Sequence, residues 1–218
     1  MSKIKIKDKL PIYGFMHCCA INNYKEIISE QVNKIIMSGL YHACDRISIG
    51  LLGEYDEEFW KDLPSKFHID YKASDIRQKE FITLNLLYNR TLYHDCLTWY
   101  IHTKGVYTKK NYMRGGQESW RKHMENAVVI NWRDCVRIID KFKFNSCGSF
   151  LVYSMARYTF KGWHYSGNFW WARGDYVKLL KRPLSFDINH RWWAEKWILT
   201  GEFTTKTACD IDKFIAIK

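Results

Sequence analysis

The sequence predicts an α/β fold: a mostly parallel central sheet with helices on both faces. Two observations carry this. Short apolar runs recur through the first half, as PIYGFMHCCAI, RISIGLLG, KFHIDYKA and LTWYIHTKG. Between them lie segments whose apolar residues follow helical spacing rather than strict alternation. Strands alternating with helices are βαβ units, and their parallel sheets are covered on both sides.

The elements follow in order. PIYGFMHCCAI is a short buried strand, and Asn22-Asn23 supplies a turn and a helix cap. YKEIISEQVNKIIMSGL places Ile27, Ile28, Val32, Ile35 and Ile36 on one helical stripe, closed by Ser38-Gly39. RISIGLLG is a second strand ending at Gly53, EYDEEFWKDL a short acidic helix stopped before Pro64, and KFHIDYKA an edge-like third strand. KEFITLNLLYNRTLYH is an amphipathic helix and LTWYIHTKG the fourth strand. In such sheets ligands bind beyond the carboxyl ends of the strands. The loop around Asn22, the Gly53 loop, Ala73–Asp75 and His102–Lys104 should therefore meet at one crevice. In the second half TKKNYMRGGQ reads as a polar loop, and ESWRKHMENAVVINWRDCVRIIDKF as a long helical stretch interrupted near Asn131. SCGSFLVY, GWHYSGNFWWARGDYVKLL and RPLSFDINHRWWAEKWILTG follow. With no linker or repeat, one domain over 1–218 is expected, with halves 1–105 and 106–218.

Composition narrows the function classes. At 218 residues and 47% hydrophobic, the chain can build a sizeable core, which argues against disorder. No apolar run reaches the ~20 residues of a membrane span, and MSKIKIKDKLPIYGF lacks the apolar stretch of a signal peptide. A cytoplasmic protein is expected, with peripheral membrane contact left open. The 7 cysteines form no Cys-x-x-Cys pair, so they read as small core residues in a reducing compartment rather than a structural zinc site. A formal charge of +11 attracts phosphates of nucleic acids, membranes or nucleotides. With 17% aromatics the same balance suits base stacking or sugar binding. No RNA or DNA motif organises it, so nucleic acid is not the expected partner.

Three stretches carry candidate chemistry: His102-Thr103-Lys104 at a strand exit, Gly167-Asn168-Phe169-Trp170-Trp171, and Trp193-Ala194-Glu195-Lys196-Trp197. In this order, after a βαβ half, they resemble glycosyltransferases of the GT-A fold. The likeness is strongest to small glycosyltransferase-like domains of large DNA viruses and bacteria, and runs from about Tyr13 to about Trp197.

The resemblance implies a single GT-A-like domain that moves a sugar from a nucleotide-diphosphate donor, UDP-linked by preference, to a glycan or glycolipid. Most such enzymes carry Asp-x-Asp where this chain has His102-Thr103-Lys104. Lys104, helped by His102, would then stabilise the leaving diphosphate in place of a metal. Dependence on Mn or Mg stays open, with His102 or Asp75 as the ligand. Arg114, with Lys109 and Lys110, lies in the 107–117 stretch that would close over the phosphates about a Gly115-Gly116 hinge. His17, Asn22, Lys72 and Asp75 would meet the nucleotide. Glu80 and Thr83 would cap their helix or touch donor hydroxyls. His164, Gly167, Asn168 and Trp170 would line the sugar or acceptor side, although core packing is the better reading of Trp170 and Trp171 from the residues alone. Glu195 would deprotonate the acceptor in an inverting reaction, unless it is a helix-face acid paired with Arg191 or Arg182; Asp187 and Asp175 are weaker alternatives. The rival readings are a basic nucleic-acid-binding module and a non-catalytic sugar-binding domain.

Overall fold

A computed structural model of the chain describes residues 10–106, 111–156, 160–190, 192–202 and 204–216, with the side chains of 111–114, 156 and 160 outside the description. The first half runs β1 (Ile12–Ala20), α1 (Tyr24–Met37), α2 (Leu40–Ala43), β2 (Arg46–Gly53), α3 (Glu57–Lys61), β3 (Phe67–Ala73), α4 (Phe81–Tyr93) and β4 (Leu97–His102). A 3-10 turn, Ile76–Gln78, precedes α4. The expected alternation of strand and helix is present. Asp56 caps α3 by accepting from the Glu58 N–H, whereas Asn23 stands at the start of α1 without a capping bond. Gly39, at φ 79°, supplies the left-handed residue that ends α1.

The second half holds α5 (Asn111–Glu125), α6 (Trp132–Asp140), β5 (Ser146–Gly148), β6 (Leu151–Ala156), β7 (Phe160–Tyr165), β8 (Trp170–Arg173), α7 (Gly174–Val177), α8 (Trp192–Lys196), β9 (Ala208–Asp210) and α9 (Ile211–Ala216). A π-helical segment, Asn126–Ile130, joins α5 to α6 and accounts for the expected interruption. One expectation needs correction. Gly115 and Gly116 lie inside α5 rather than forming a hinge in a loop. Two helical glycines cost about 1 kcal/mol each, but the helix is tied down farther along. Arg121, buried in α5, reaches Glu125 at 2.8 Å and Glu30 of α1 at 2.7 Å. The remainder of the supposed lid, Tyr107 to Lys110, lies outside the described residues.

The described strands form a seven-stranded sheet ordered β3-β2-β1-β4-β8-β5-β9, and β6-β7 form a separate hairpin. β1 to β4 are mutually parallel, β8 runs antiparallel to β4 and β5, and β9 is parallel to β5. The sheet is thus α/β and mostly parallel, with helices on both faces. Alternation along β1 explains the layers. Ile12, Met16 and Cys18 point into the core shared with α1 and α6, and Phe15 into the core shared with α4 and α7. Trp99 and Trp171 fill the first core, and Trp170 and Trp197 the second, all fully buried. The seven cysteines are free thiols, six of them buried, in keeping with their expected role. Among the described residues no helix is long and apolar enough to cross a membrane.

Two glycines set close approaches. A Cβ on Gly14 would stand 2.2 Å from the Trp99 indole, and one on Gly50 would stand 2.0 Å from Thr83 Oγ1. The second lets α4 settle onto β2, and α4 carries much of the site.

Candidate functional site

The chain lays β2 and β3 to one side of β1, then returns to place β4 on the other. The order therefore reverses between β1 and β4, the point at which open α/β sheets form ligand crevices. Register makes His17 and His102 neighbours across that seam. A cleft of about 620 Å³ opens there. His17, Thr103, Lys104, Glu80, Arg77 and Glu195 are among the residues that line it, with His102 and Gln117.

Glu80 organises the floor. It sits at the start of α4, but its side chain makes no cap bond and turns inward instead. Trp170 Nε1 donates to Asn168 Oδ1 at 2.7 Å, which fixes the amide so that its NH₂ faces Glu80. Asn168 Nδ2 then donates to Glu80 Oε2 at 2.5 Å, and the Tyr100 hydroxyl donates to the same oxygen at 3.0 Å. Burial pushes the Glu80 carboxyl up. His102 and His17, with the Asn168 and Tyr100 hydrogen bonds, outweigh it and hold Glu80 below the usual carboxylate range. Glu80 is a carboxylate at neutral pH.

His102 is equally constrained. Its Nε2 lies 2.9 Å from the Gly167 carbonyl, which can only accept, so the proton sits on Nε2. Nδ1 faces Glu80 Oε1 at 3.9 Å. Burial lowers the His102 pKa against the pull of Glu80, and Lys104 lowers it further. The ring is therefore a neutral imidazole with its lone pair at Nδ1. His17 shares a 3.0 Å hydrogen bond with Thr83 Oγ1, and burial lowers its pKa to about 4, against Glu80 and with His102. Lys104 lies on the cleft wall with its ammonium 4.0 Å from the Trp120 ring centroid. Behind the wall, Gln31 Nε2 donates to the His102 carbonyl and to buried Glu125, which also receives Lys34 and Arg121.

The structure brings together His17, Glu80, His102, Lys104 and Glu195, drawn from both halves of the chain. It places other expected residues elsewhere. Asn22, at φ 49°, donates to the Val106 carbonyl and ties the end of β1 to the loop after β4. Lys72 stands in a separate depression with Gly53, Tyr55 and Glu57, 3.7 Å from the Glu57 carboxylate. The four loops therefore do not share one crevice. Asp75 starts the 3-10 turn and grips Arg77 through both oxygens at 2.8 and 3.0 Å. Asn168 is fully buried and meets Glu80 from behind. Trp170, expected on the sugar side, is fully buried and stacks on Tyr100 at 5.4 Å. It orients Asn168 and has no surface for a ligand. Gly167, at φ 93°, supplies its carbonyl to His102, and a Cβ there would stand 2.4 Å from Met124 Sδ. His164 lies on β7 opposite Val152, and its pKa is lowered by burial. The Arg114 side chain and Arg191 lie outside the described residues. Arg182 donates to Asn85, at 2.9 Å.

Sequence reasoning missed Tyr100, Gln31 and Trp120. Strand alternation was a usable signal for one of them, since Tyr100 must share a face with His102. A second, shallower depression of about 530 Å³ is lined by Trp120, His123, Phe150, Val152 and Ser166. Trp120 stands between it and Lys104. Among the described residues no group of three His, Cys, Asp or Glu is placed to hold a metal ion.

Comparison with curated proteins gives no match. A family model described as a domain of unknown function (DUF8361) matches residues 19–210, from the end of β1 to β9, and takes in the residues named as lining the cleft except His17. The chain belongs to that family.

Proposed function

We propose that the chain is a single-domain, GT-A-like glycosyltransferase that moves a sugar from a nucleoside-diphosphate donor, UDP-linked by preference, to a carbohydrate acceptor. The carrying observation is that Lys104 and Glu195, one from each half of the chain, line the same cleft at the β1/β4 seam. A cation and a carboxylate in one cleft suit displacement of an anionic leaving group by an alcohol. Glu195 takes the acceptor proton, the acceptor oxygen bonds to the anomeric carbon, and the bond from that carbon to the diphosphate breaks. Its electron pair leaves on the diphosphate, opposite Lys104. The aromatic depression beyond Trp120 adjoins this point and supports an acceptor approaching from that side. A divalent ion would be held mainly by the diphosphate, with His102 at hand, and no step above requires one.

Isothermal titration with UDP and UDP-sugars at physiological salt tests the reading. Saturable binding is expected, with Lys104→Ala weakening it by about 1.5–3 kcal/mol, the range for a charge-assisted hydrogen bond. Equal affinity of the two proteins removes Lys104 from the phosphate site. Binding only to nucleic acid, falling steeply with salt, replaces the enzyme reading with the basic-module one.

A further inference from the structure

The floor of the cleft presents two acceptors to each other. Glu80 Oε2 is occupied by Asn168 and Tyr100, which leaves Oε1 as the oxygen toward the cleft. His102 holds its proton on Nε2 against Gly167, which leaves the Nδ1 lone pair. These two atoms stand 3.9 Å apart, too far for a direct hydrogen bond and with no proton between them. Neither side chain can turn away. Asn168 is locked by Trp170, and the His102 ring is held by Gly167 and packed against Tyr100 and Phe169. Both remain reachable, with Glu80 20% and His102 13% exposed in their side chains.

We propose that the Glu80–His102 gap is a recognition point for a neutral vicinal diol on a sugar ring, one hydroxyl donating to Glu80 Oε1 and its neighbour to His102 Nδ1. This deepens the nucleotide-sugar reading and rests on it for the identity of the ligand. One hydroxyl carries one proton and satisfies one acceptor. Two adjacent hydroxyls satisfy both, since each can lean to its own acceptor at about 2.8 Å. Water can bridge the gap from bulk, so a ligand replaces it without loss only by supplying both protons. A cation would also meet a carboxylate and a lone pair here. Lys104 lines the same cleft, however, and a cation that enters without an anion of its own meets that repulsion, while a diol does not. The same chemistry is found on the ribose of a nucleotide and on the transferred hexose, and the test separates them.

The informative variant is Glu80→Gln. Its amide oxygen can accept from Asn168 and Tyr100 as before, while its NH₂ puts a donor where Oε1 was an acceptor, so a diol loses one of its two acceptors. Titrate wild type and Glu80→Gln with UDP, 2′-deoxy-UDP and UDP-glucose. In wild type, about tenfold is expected to separate the ligand bearing the recognised diol from the one lacking it. That difference lies between UDP and 2′-deoxy-UDP if the ribose is read, and between UDP-glucose and UDP if the hexose is read. Glu80→Gln should abolish the difference and keep the residual affinity. A second measurement needs no nucleotide and no variant. In wild type labelled with ¹⁵N-histidine, methyl α-glucopyranoside should shift the His102 Nδ1 resonance. Its 3-deoxy analogue, which has no vicinal pair, should not. No UDP binding together with a diol-specific Nδ1 shift would sink the donor reading and keep this site. Nucleotide-sugar binding with neither a diol-dependent shift nor a difference between UDP and 2′-deoxy-UDP, or a Glu80→Gln protein that keeps the full difference, would overturn the site and keep the donor reading.

Discussion

His17 is the group whose titration should be most visible in stability. It is buried, bonded to Thr83, and faced by Glu80 and His102; burial lowers its pKa from 6.5 to about 4. Between those values the unfolded chain binds a proton that the folded chain refuses. Stability from this residue is therefore complete above pH 6.5 and falls as the pH drops toward 4. At ~1.36 kcal/mol per pH unit the whole loss is about 3 kcal/mol, of which about 2 kcal/mol is gone by about pH 5. The perturbation is His17→Asn, which keeps a polar partner for Thr83 and cannot titrate. Urea unfolding of both proteins at about pH 7.5 and pH 5 reads the difference. The substitution should cost a constant amount at the higher pH, and the stability of the variant should fall about 2 kcal/mol less than that of wild type on acidification. Glu80, held below its ordinary value, loses its own contribution only at lower pH, as the acid range of a carboxylate is entered, so it leaves this window largely undisturbed. Parallel loss in the two proteins would show that His17 takes up its proton in the folded state, and would refute the burial argument.

The remaining predictions concern packing and chemistry. Gly50→Ala sets a methyl 2.0 Å from Thr83 Oγ1 and 2.6 Å from Ile82 Cδ1. It should cost about 1–3 kcal/mol by thermal melting, and should weaken UDP-sugar binding as α4 lifts Glu80 from the floor. Glu195→Gln should bind donor within about threefold of wild type while transfer falls by on the order of 100-fold; near-normal transfer would remove Glu195 as the base. Asp187→Asn is the control and should do less, since Asp187 spends its Oδ1 on Asn189 and does not line the cleft.

The parallel half of the fold was legible because its signals are local. Apolar runs, helical stripes and the Gly39 stop each act within a few residues, and together they place His17 and His102 near the ends of their strands, while the pairing of β4 with β1 comes from the assembled sheet. Glu80 was expected to cap its helix or touch donor hydroxyls, but the inward turn of its side chain onto Asn168 and Tyr100 was not legible. Its partner Asn168 lies 88 residues away, and nothing near Glu80 announces that its side chain turns inward. The first half of helix α5, residues 111–117, was missed for the opposite reason. Its local signal, Gly115-Gly116 amid polar residues, truly disfavours a helix, and contacts such as Arg121 with Glu30, 91 residues apart, override it. Trp170 suits both core and sugar contact in the sequence, because a tryptophan after Gly-Asn fits either. Only the position of β8 between β4 and β5 decides for the core.

The place of β4 in the sheet has a consequence for synthesis. As the chain leaves the ribosome, β1, α1 and β2 can assemble early, but the other edge of β1 stays bare until residues 97–102 arrive. That edge runs through Ile12, Phe15 and Met16, all buried in the finished protein. A nascent chain paused before β4 thus presents an apolar strand edge, the feature most prone to pair with the wrong neighbour. β4 seals this edge and sets His102 beside His17 in one step, and then leaves its own outer edge to be covered by β8, at residues 170–173.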